Sequence, residues 1–228
     1  MHITALRWKS LSLGTGIYEN QSNNSAMKNS RIKHTAIHQS KPSPFVSKFA
    51  SRIAGNASGM PILDVACGSG RNAINFIQLG CPVICLDIDL SRLHLPQSIN
   101  TNVEMKSYQL DLAHDPWPLG PRSVGGIINV HYLLPALFPN FESSLIPGGY
   151  LLLETVPGCG GNYIRLPKME ELRLALYSNY DLEFYEERPV GPIAYGAVTV
   201  RLLAKRKGNS VSRNKAPMAQ RVPTRTVS

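Results

Sequence analysis

The sequence predicts an α/β fold in which a doubly wound, mostly parallel sheet forms one core. Apolar segments of strand length alternate with helical segments along most of the chain. Strands that are apolar throughout are typical of parallel sheets whose two faces are both covered. With 228 residues, 43% of them hydrophobic, the chain can form one domain with a sizeable core. Ligands bind such sheets at the carboxyl ends of the strands.

The first predicted element is a helix that begins at Ser43. Ser43 can cap the helix, and Pro44 suits its first turn. Apolar residues then recur on one face, at Phe45, Phe49 and Ile53. We expect this helix to cover the ligand-binding end of the sheet.

The other elements follow in order. Strands are predicted at 62–66, 83–88, 105–111, 126–130, 150–156, 182–187 and 194–204. Helices are predicted at 72–79, directly after Asp89, at 136–145 and at 168–179.

A glycine-rich turn follows the first strand, at Gly68 and Gly70. Glycine allows positive φ and leaves the backbone amides open to a ligand. Asp64 lies at the end of the strand before this turn. Asp87 ends the next strand, 17 positions after Gly70, where a carboxylate can accept both hydroxyls of a ribose. The pattern therefore predicts a site for a nucleoside-containing ligand.

Two classes of ligand fit this turn. Residues 68–73 match the dinucleotide fingerprint G-x-G-x-x-G/A, which places a pyrophosphate at the start of a helix. Asp64 would bring a negative charge near that pyrophosphate, whereas it would attract the sulfonium and ammonium groups of S-adenosylmethionine. The residues thus favour S-adenosylmethionine, and a nicotinamide dinucleotide is the less favoured alternative.

At these residues the chain resembles the class I S-adenosylmethionine-dependent methyltransferases, whose first motif is an acid, a small residue and G-x-G. Later segments are similar as well, at 108–112, at 125–132 and in the PGG turn and strand at 145–154. More narrowly, residues 41–46 and 131–139 resemble small bacterial methyltransferases related to the tellurite-resistance and thiopurine-methyltransferase-like group.

This resemblance extends over residues 40–206 and implies a Rossmann-like sheet of seven strands, mostly parallel with an antiparallel last strand. It implies S-adenosyl-L-methionine as the cofactor. Ala66 stands where many members have glycine, and its methyl group is tolerated there if the residue has a negative φ. The implied cofactor-binding residues are Asp64, Ala66, Cys67, Gly68, Gly70, Arg71, Asp87, Ile88, Asp111, Leu112 and Asn129.

The segment after the fourth strand faces the transferred methyl group in this family, which nominates His131 and Tyr132 as catalytic residues. His131 can deprotonate a hydroxyl or thiol, and Tyr132 can orient an acceptor or stack on it. Methyl transfer is an in-line displacement, so correct positioning supplies much of the acceleration. In the structural alternative, His131 caps the strand end and Tyr132 packs under the helix near Ala136.

Four other polar or aromatic residues have two interpretations each. Arg71 can pair with the methionine carboxylate or lie in solvent. Asp89 can touch the ribose, but an aspartate before a short helix more often caps it. Asp111 can bind the adenine amino group, which the resemblance favours, or cap the following turn. Trp117 can stack near the adenine or serve as a packing anchor.

A small molecule is the predicted methyl acceptor, for example a thiol, an oxyanion such as tellurite, or a metabolite. Nucleic-acid amino methyltransferases show Asp or Asn followed by Pro-Pro and an aromatic residue after strand four, whereas residues 129–132 read Asn-Val-His-Tyr. That segment also lacks the cysteine of a cytosine-C5 enzyme. The alternatives are an RNA or protein methyltransferase that uses basic tails, and a non-catalytic S-adenosylmethionine-binding protein.

The net charge of +9 comes from the two ends of the chain. Residues 201–228 hold eight lysines or arginines and no acid, whereas the central part is mildly acidic. This distribution makes nucleic acid a less favoured partner, because a phosphate-binding face would itself be basic. We predict a disordered or spurious leader at 1–40, with a start at Met27 preferred over a transit peptide, and a disordered basic tail at 207–228. The methyltransferase domain would span 41–206.

The four cysteines show no spacing typical of a zinc site or a disulfide framework. We expect Cys67, Cys81, Cys85 and Cys159 to act as small core hydrophobes. The apolar stretches are too short to span a bilayer, so the sequence predicts a soluble, cytoplasmic protein without a membrane partner.

Overall fold

A computed structural model describes residues 41–94, 102–155 and 166–208. Seven strands in these ranges form one sheet in the order β3-β2-β1-β4-β5-β7-β6. The strands are β1 (Ile62–Val65), β2 (Val83–Asp87), β3 (Met105–Gln109), β4 (Val124–Val130), β5 (Leu145–Glu154), β6 (Tyr180–Pro189) and β7 (Val198–Arg206). Strands β1 to β5 pair in parallel, and β7 is antiparallel to both β5 and β6. The predicted fold class, with its antiparallel last strand, is confirmed.

Helices cover both faces of the sheet. They are α1 (Pro44–Asn56), α2 (Ala73–Gln78), α3 (Phe138–Ser144) and α4 (Glu171–Leu176). One apolar cluster joins α1 and α2 to one face, and a second joins α3 and α4 to the other. Consecutive residues of a strand alternate between the two clusters, as Ile127 and Ile128 do in β4. Strand β4 is buried along its whole length, as expected at the centre of a doubly wound sheet.

The first helix begins where the sequence predicts it to begin. The Ser43 hydroxyl accepts a hydrogen bond from the amide of Phe45 at 3.1 Å, and Pro44 opens the first turn. The apolar stripe of α1 is buried against β4, β5 and α2. The helix therefore covers a face of the sheet, and only its N-terminus reaches the carboxyl ends of the strands. The expectation that α1 covers the ligand-binding end was wrong for the body of the helix.

Several predicted boundaries shift. The strand expected at 150–156 begins at Leu145, because the PGG segment is part of β5. The helix expected at 136–145 starts as a 3-10 turn, Pro135–Leu137, before α3. The strand expected from residue 194 begins only at Val198, because Ile193–Tyr195 form a 3-10 turn that ends at Gly196 with φ of 54°. The helix expected at 168–179 is confined to α4.

Some predictions concern residues outside the described ranges. These are the leader at 1–40, most of the basic tail at 207–228 and the role of Cys159. Within the described ranges, every helix is too short or too polar to cross a membrane.

Candidate functional site

The carboxyl ends of β1, β2 and β4 lie side by side in the sheet, with β1 in the middle. The turn after β1 is held against β2, since the amide of Cys67 donates to the Leu86 carbonyl at 2.9 Å. Gly68 and Gly70 both have positive φ, 57° and 76°, as the sequence predicts. The amide of Gly70 donates back to the Cys67 carbonyl at 3.0 Å, which closes the turn.

Asp87 ends β2 and holds the glycine turn in place. Its Oδ2 accepts a hydrogen bond from the amide of Gly68 at 2.7 Å, and its Oδ1 accepts one from the amide of Asp89 at 3.0 Å. A carboxylate oxygen can accept more than one hydrogen bond, so both oxygens retain capacity for ligand hydroxyls. The structure thus joins the two elements that the sequence assigned to one nucleoside site.

Asp64 is the most unusual titratable group at this edge. Its side chain is only 2% exposed, and its Oδ2 atom has no hydrogen-bond partner among the described residues. Burial raises its pKa to about 7, although the backbone N–H of Ala73 and the Arg71 guanidinium favour the charged form. A buried carboxylate with an unsatisfied oxygen is suited to a ligand that carries positive charge or donates a hydrogen bond.

Ala66 adopts a left-handed backbone conformation with φ of 53°. The negative φ at which the methyl group of Ala66 would be tolerated is therefore not the one observed. The chain reverses at this residue so that the next amide can reach the Leu86 carbonyl. An L-residue with a β-carbon is strained in this region by roughly 1–2 kcal/mol, which is why glycine is preferred there.

Replacing Ala66 by glycine is expected to stabilise the protein by roughly 0.5–1 kcal/mol, because relief of the strained φ exceeds the added entropy of the unfolded chain. Urea unfolding measures the change. The matched control is Ala73→Gly at the start of α2, which removes the same methyl group from a buried helical position and should destabilise. Equal destabilisation by both substitutions would contradict the assigned strain at Ala66.

His131 follows β4 and also has a left-handed backbone, with φ of 66°. Its amide donates to the Glu154 carbonyl at 2.7 Å, and its Nδ1 lies 3.4 Å from Nη2 of Arg71. Burial and the nearby Arg71 guanidinium lower the pKa of His131. The imidazole is therefore neutral at pH 7, the form that can accept a proton. Arg71 also donates to the Lys41 carbonyl at 3.0 Å, so it is not free in solvent.

Asn129 and Tyr132 lie on the other side of the sheet from Asp64. Asn129 is fully buried, and its register partner in β1 is Val65, which belongs to the cluster under α3 and α4. Neither amide atom of Asn129 has a hydrogen-bond partner in the described part of the chain. Tyr132 packs against the same apolar cluster, and burial raises its pKa. This placement supports the packing interpretation of Tyr132.

Contacts decide the alternatives for Asp89 and Trp117, and they show a capping role for Asp111. Asp111 caps the turn that follows it, since its Oδ1 accepts from the Ala113 amide at 2.9 Å and its Oδ2 lies 2.8 Å from Nδ1 of His114. The hydrogen bond to His114 lowers the pKa of Asp111. Asp89 caps the short helix after β2 through the Ser91 amide at 2.9 Å.

Trp117 is a packing anchor. Its Nε1 donates to the Ser144 hydroxyl at 2.8 Å, and its ring lies 5.8 Å from that of Phe141 in the core. The adenine role of Asp111 stays a prediction, because its exposed carboxylate can still accept a further hydrogen bond.

The other residues that the sequence predicts to contact the cofactor differ in how exposed their side chains are. Ile88 is 62% exposed beside Asp87, so its side chain can contact a ligand, whereas the side chain of Leu112 is buried. Cys67 and Cys85 are buried with free thiols, as core residues would be. A hydrogen bond to Cys67, together with burial, raises the pKa of the Cys85 thiol.

Sequence reasoning missed a polar cluster built around Glu154. This carboxylate is 5% exposed, and it accepts hydrogen bonds from the Ser43 hydroxyl at 2.5 Å and from Nε of Arg201 at 2.7 Å. The amide of Ser43 also donates to Oδ1 of Asn72 in the glycine turn at 3.0 Å. An available signal was that Glu154, like the two aspartates above, ends an apolar strand. Its partners come from distant parts of the chain and have no local signature.

Comparison with known proteins places these features in context. The profile of a protein family described as RNA cap guanine-N2 methyltransferase matches residues 60–113. This match is about a quarter of the chain and ends before β4. A comparison with curated protein sequences found no significant match.

Solved structures of similar fold come from several proteins. Magnesium protoporphyrin IX methyltransferase (ChlM) from Synechocystis PCC 6803, determined with bound SAM, is 18% identical, with coverage of 71% of this chain and 78% of that one and a TM-score of 0.53. TehB from Haemophilus influenzae is 18% identical, with coverage of 71% and 61% and a TM-score of 0.52. The MccD protein is 11% identical, with coverage of 74% and 100% and a TM-score of 0.55.

These likenesses concern the fold, since all three identities are below 20%. The resemblance inferred from the strand-end motifs is confirmed at that level. The chain has the Rossmann-like fold of the S-adenosylmethionine-dependent methyltransferases, and the glycine turn lies where the ligand of such a sheet binds.

Proposed function

We propose that this protein is an S-adenosylmethionine-dependent methyltransferase that acts on a small molecule. The observation that carries the proposal is the buried Asp64 carboxylate, whose Oδ2 atom lacks a hydrogen-bond partner in the described ranges, beside the glycine turn. A cationic group of the ligand would compensate this charge, and an anionic pyrophosphate would be repelled by it.

The other residues at this edge suit the rest of the cofactor. Asp87 would accept the ribose hydroxyls, and the backbone at Gly68 and Gly70 would lie against the ligand, since neither has a β-carbon. Asp111 and Leu112 would bracket the adenine, as the family resemblance implies. The exposed side chain of Ile88 would add an apolar contact next to Asp87.

A dinucleotide fits less well. Its pyrophosphate would need the N-terminus of a helix, and α2 is only six residues long. In addition, the phosphates would repel an ionised Asp64. Its carboxyl group would therefore have to stay protonated even above its pKa of about 7.

When bound, S-adenosylmethionine would supply a methyl carbon that an acceptor lone pair can attack while the carbon–sulfur bond breaks and its electron pair stays on sulfur. His131, neutral at pH 7 because its pKa is lowered, would accept the proton of a hydroxyl or thiol acceptor. The Arg71 guanidinium can only donate, so the Nδ1 atom that it contacts carries the lone pair of the neutral imidazole, and the acceptor would deliver its proton there by displacing Arg71 from Nδ1. The task of the fold is then to align the acceptor, since in-line positioning accounts for much of such a rate increase.

An RNA methyltransferase is the second candidate, and the profile match at residues 60–113 favours it. That match covers the cofactor half of the sheet and none of the segment after β4, where the acceptor would be held. The Asn-Val-His-Tyr sequence at 129–132 argues against amino methylation of a base. Removal of 1–26 and 208–228 would separate the candidates, because an RNA held by basic tails would lose its salt-dependent affinity.

The proposal is tested by the pH dependence of S-adenosylhomocysteine binding. We expect calorimetric affinity to rise between pH 6 and pH 8, because the ammonium group of the ligand prefers ionised Asp64, whose pKa is about 7 in the free protein. Asp64→Asn should weaken binding at least tenfold at pH 8 and abolish the pH dependence. Asp181→Asn, at an exposed carboxylate, is the matched control and should change neither. NADH binding in place of S-adenosylhomocysteine would contradict the proposal.

We expect the same substitution to have the opposite effect on stability, and a measured gain in the free energy of unfolding would show that the variant is folded. The raised pKa of Asp64 means that the native state binds a proton more tightly than the unfolded state. The free energy of unfolding therefore falls as pH rises from about 4 to about 7, by roughly 4 kcal/mol at most. Asp64→Asn should remove this loss, so that the variant is more stable than the wild type above pH 7.

A further inference from the structure

A groove lies where β5 and β6 end and β7 begins, on the α1 side of the sheet. It consists of two adjoining cavities of about 320 Å³ and 260 Å³ that share Glu186 and Arg201. Arg188 lines the larger cavity, and Lys48 and Phe184 line the smaller one. The larger cavity alone has the size of a small-molecule site. We call this feature the basic groove.

Positive charge predominates in the basic groove. Lys48, Arg188 and Arg201 line it, against the single carboxylate of Glu186. Nε and Nη2 of Arg188 both donate to Oε1 of Glu186, at 3.1 and 2.7 Å. Nε of Arg201 donates to the buried Glu154. A guanidinium has five N–H donors, so both arginines retain donors for a further oxygen ligand.

An apolar surface adjoins these charges. The rings of Phe45 and Phe184 lie 5.3 Å apart at the smaller cavity, and the Lys48 ammonium lies 5.1 Å from the centre of the Phe184 ring. A ligand with a small apolar or aromatic body and one anionic group would satisfy both halves of the groove.

One residue, Glu154, connects the basic groove to the candidate catalytic residue His131. Glu154 binds Arg201 through its side chain and accepts the amide of His131 through its carbonyl at 2.7 Å. The charges of Glu154 and Arg201 both act on the His131 imidazole, in opposite directions. An anion held by Arg201 would thus lie at the same edge of the sheet as the end of β4, where methyl transfer is expected, with β5 between them.

We propose that the basic groove binds the methyl acceptor and that Arg188 and Arg201 hold an oxyanion of that acceptor, a carboxylate or a phosphate. This assignment rests on the proposed methyltransferase function and adds the chemical class of its substrate. Arg201 is also tied to the buried Glu154, so Arg188, which is largely exposed, is the residue through which the groove can be tested.

The test uses three fluorinated probes, titrated by 19F NMR in the presence of saturating S-adenosylhomocysteine. These are 4-fluorobenzoate, 4-fluorophenyl phosphate and the neutral 4-fluorobenzamide. We expect saturable binding of an anionic probe, and binding of the amide at least tenfold weaker. The anionic probe with the lower Kd indicates whether the acceptor carries a carboxylate or a phosphate. Arg188→Gln should raise the Kd of that anion about tenfold. The affinity of this variant for S-adenosylhomocysteine should equal that of the wild type.

Arg173→Gln is the matched control, because Arg173 on α4 pairs with Glu170, outside the groove. It should leave anion binding unchanged. The proposal is overturned if the amide binds as well as the anions, if neither anion binds, or if Arg188→Gln and Arg173→Gln act alike. Failure of the proposed function is a separate result: anion binding that depends on Arg188, without any S-adenosylhomocysteine binding, would leave an anion site whose assignment to a methyl acceptor is wrong.

Discussion

Replacing Asp87 by alanine is expected to weaken S-adenosylhomocysteine binding about a hundredfold or more. Two hydrogen bonds from the ribose to a charged acceptor are each worth roughly 1.5–3 kcal/mol, and a tenfold change corresponds to about 1.4 kcal/mol. The substitution also removes the acceptor of the Gly68 amide, which holds the glycine turn against β2 at 2.7 Å. Calorimetric titration of wild type and variant at pH 8 measures the effect.

The neighbouring Asp89 provides the matched control. Its side chain caps the short helix after β2, and only its backbone amide contacts Asp87. Asp89→Ala should therefore keep affinity within about threefold, at the small stability cost of a lost cap. If Asp87→Ala remained folded and bound S-adenosylhomocysteine as tightly as Asp89→Ala, the nucleoside site would have to lie elsewhere.

Replacing Gly125 by alanine is expected to destabilise the protein by roughly 3 kcal/mol or more, a large part of a typical domain's stability. A β-carbon at this position would lie 2.5 Å from the carbonyl oxygen of Ala57 and 2.6 Å from its Cα. Ala57 follows α1 and is buried, so the end of the helix would have to move away from β4. Urea unfolding monitored by circular dichroism gives the difference in free energy.

Gly55 in α1 is the control for this substitution, because a β-carbon there would meet nothing within 4 Å. Gly55→Ala should stabilise the protein by about 0.5–1 kcal/mol through helix propensity. The two variants then differ in sign although the chemical change is the same. A Gly125→Ala variant within 1 kcal/mol of the wild type would show that α1 does not pack tightly on β4.

The succession of strands along the chain and the position of the ligand edge could be predicted from local pattern. Apolar runs of strand length that end in Asp64 and Asp87 predict parallel strands, and the intervening glycines predict a turn at their carboxyl ends. The start of α1 after Ser43 could also be predicted, because capping depends on residues that are close together in the chain.

The orientation of residues in the central strands could not be predicted. In β4 both faces are buried, so apolar residues occupy odd and even positions alike and periodicity does not reveal which face Asn129 shares. The register places it with Val65, away from Asp64. In the same way, the left-handed φ of Ala66 follows from the path between β1 and β2 and not from its own side chain.

The sequence by itself determined that this chain forms a doubly wound sheet with acids and a glycine turn at one edge, because those features depend on neighbouring residues. Only the tertiary structure decided the pKa of Asp64, which depends on how completely the sheet and α2 exclude water. The tertiary structure also brings Glu154 into hydrogen-bonding contact with Ser43 and Arg201, although these residues are 47 or more positions apart in the sequence. Burial and long-range contacts arise from the packing of distant segments, so no local pattern encodes them.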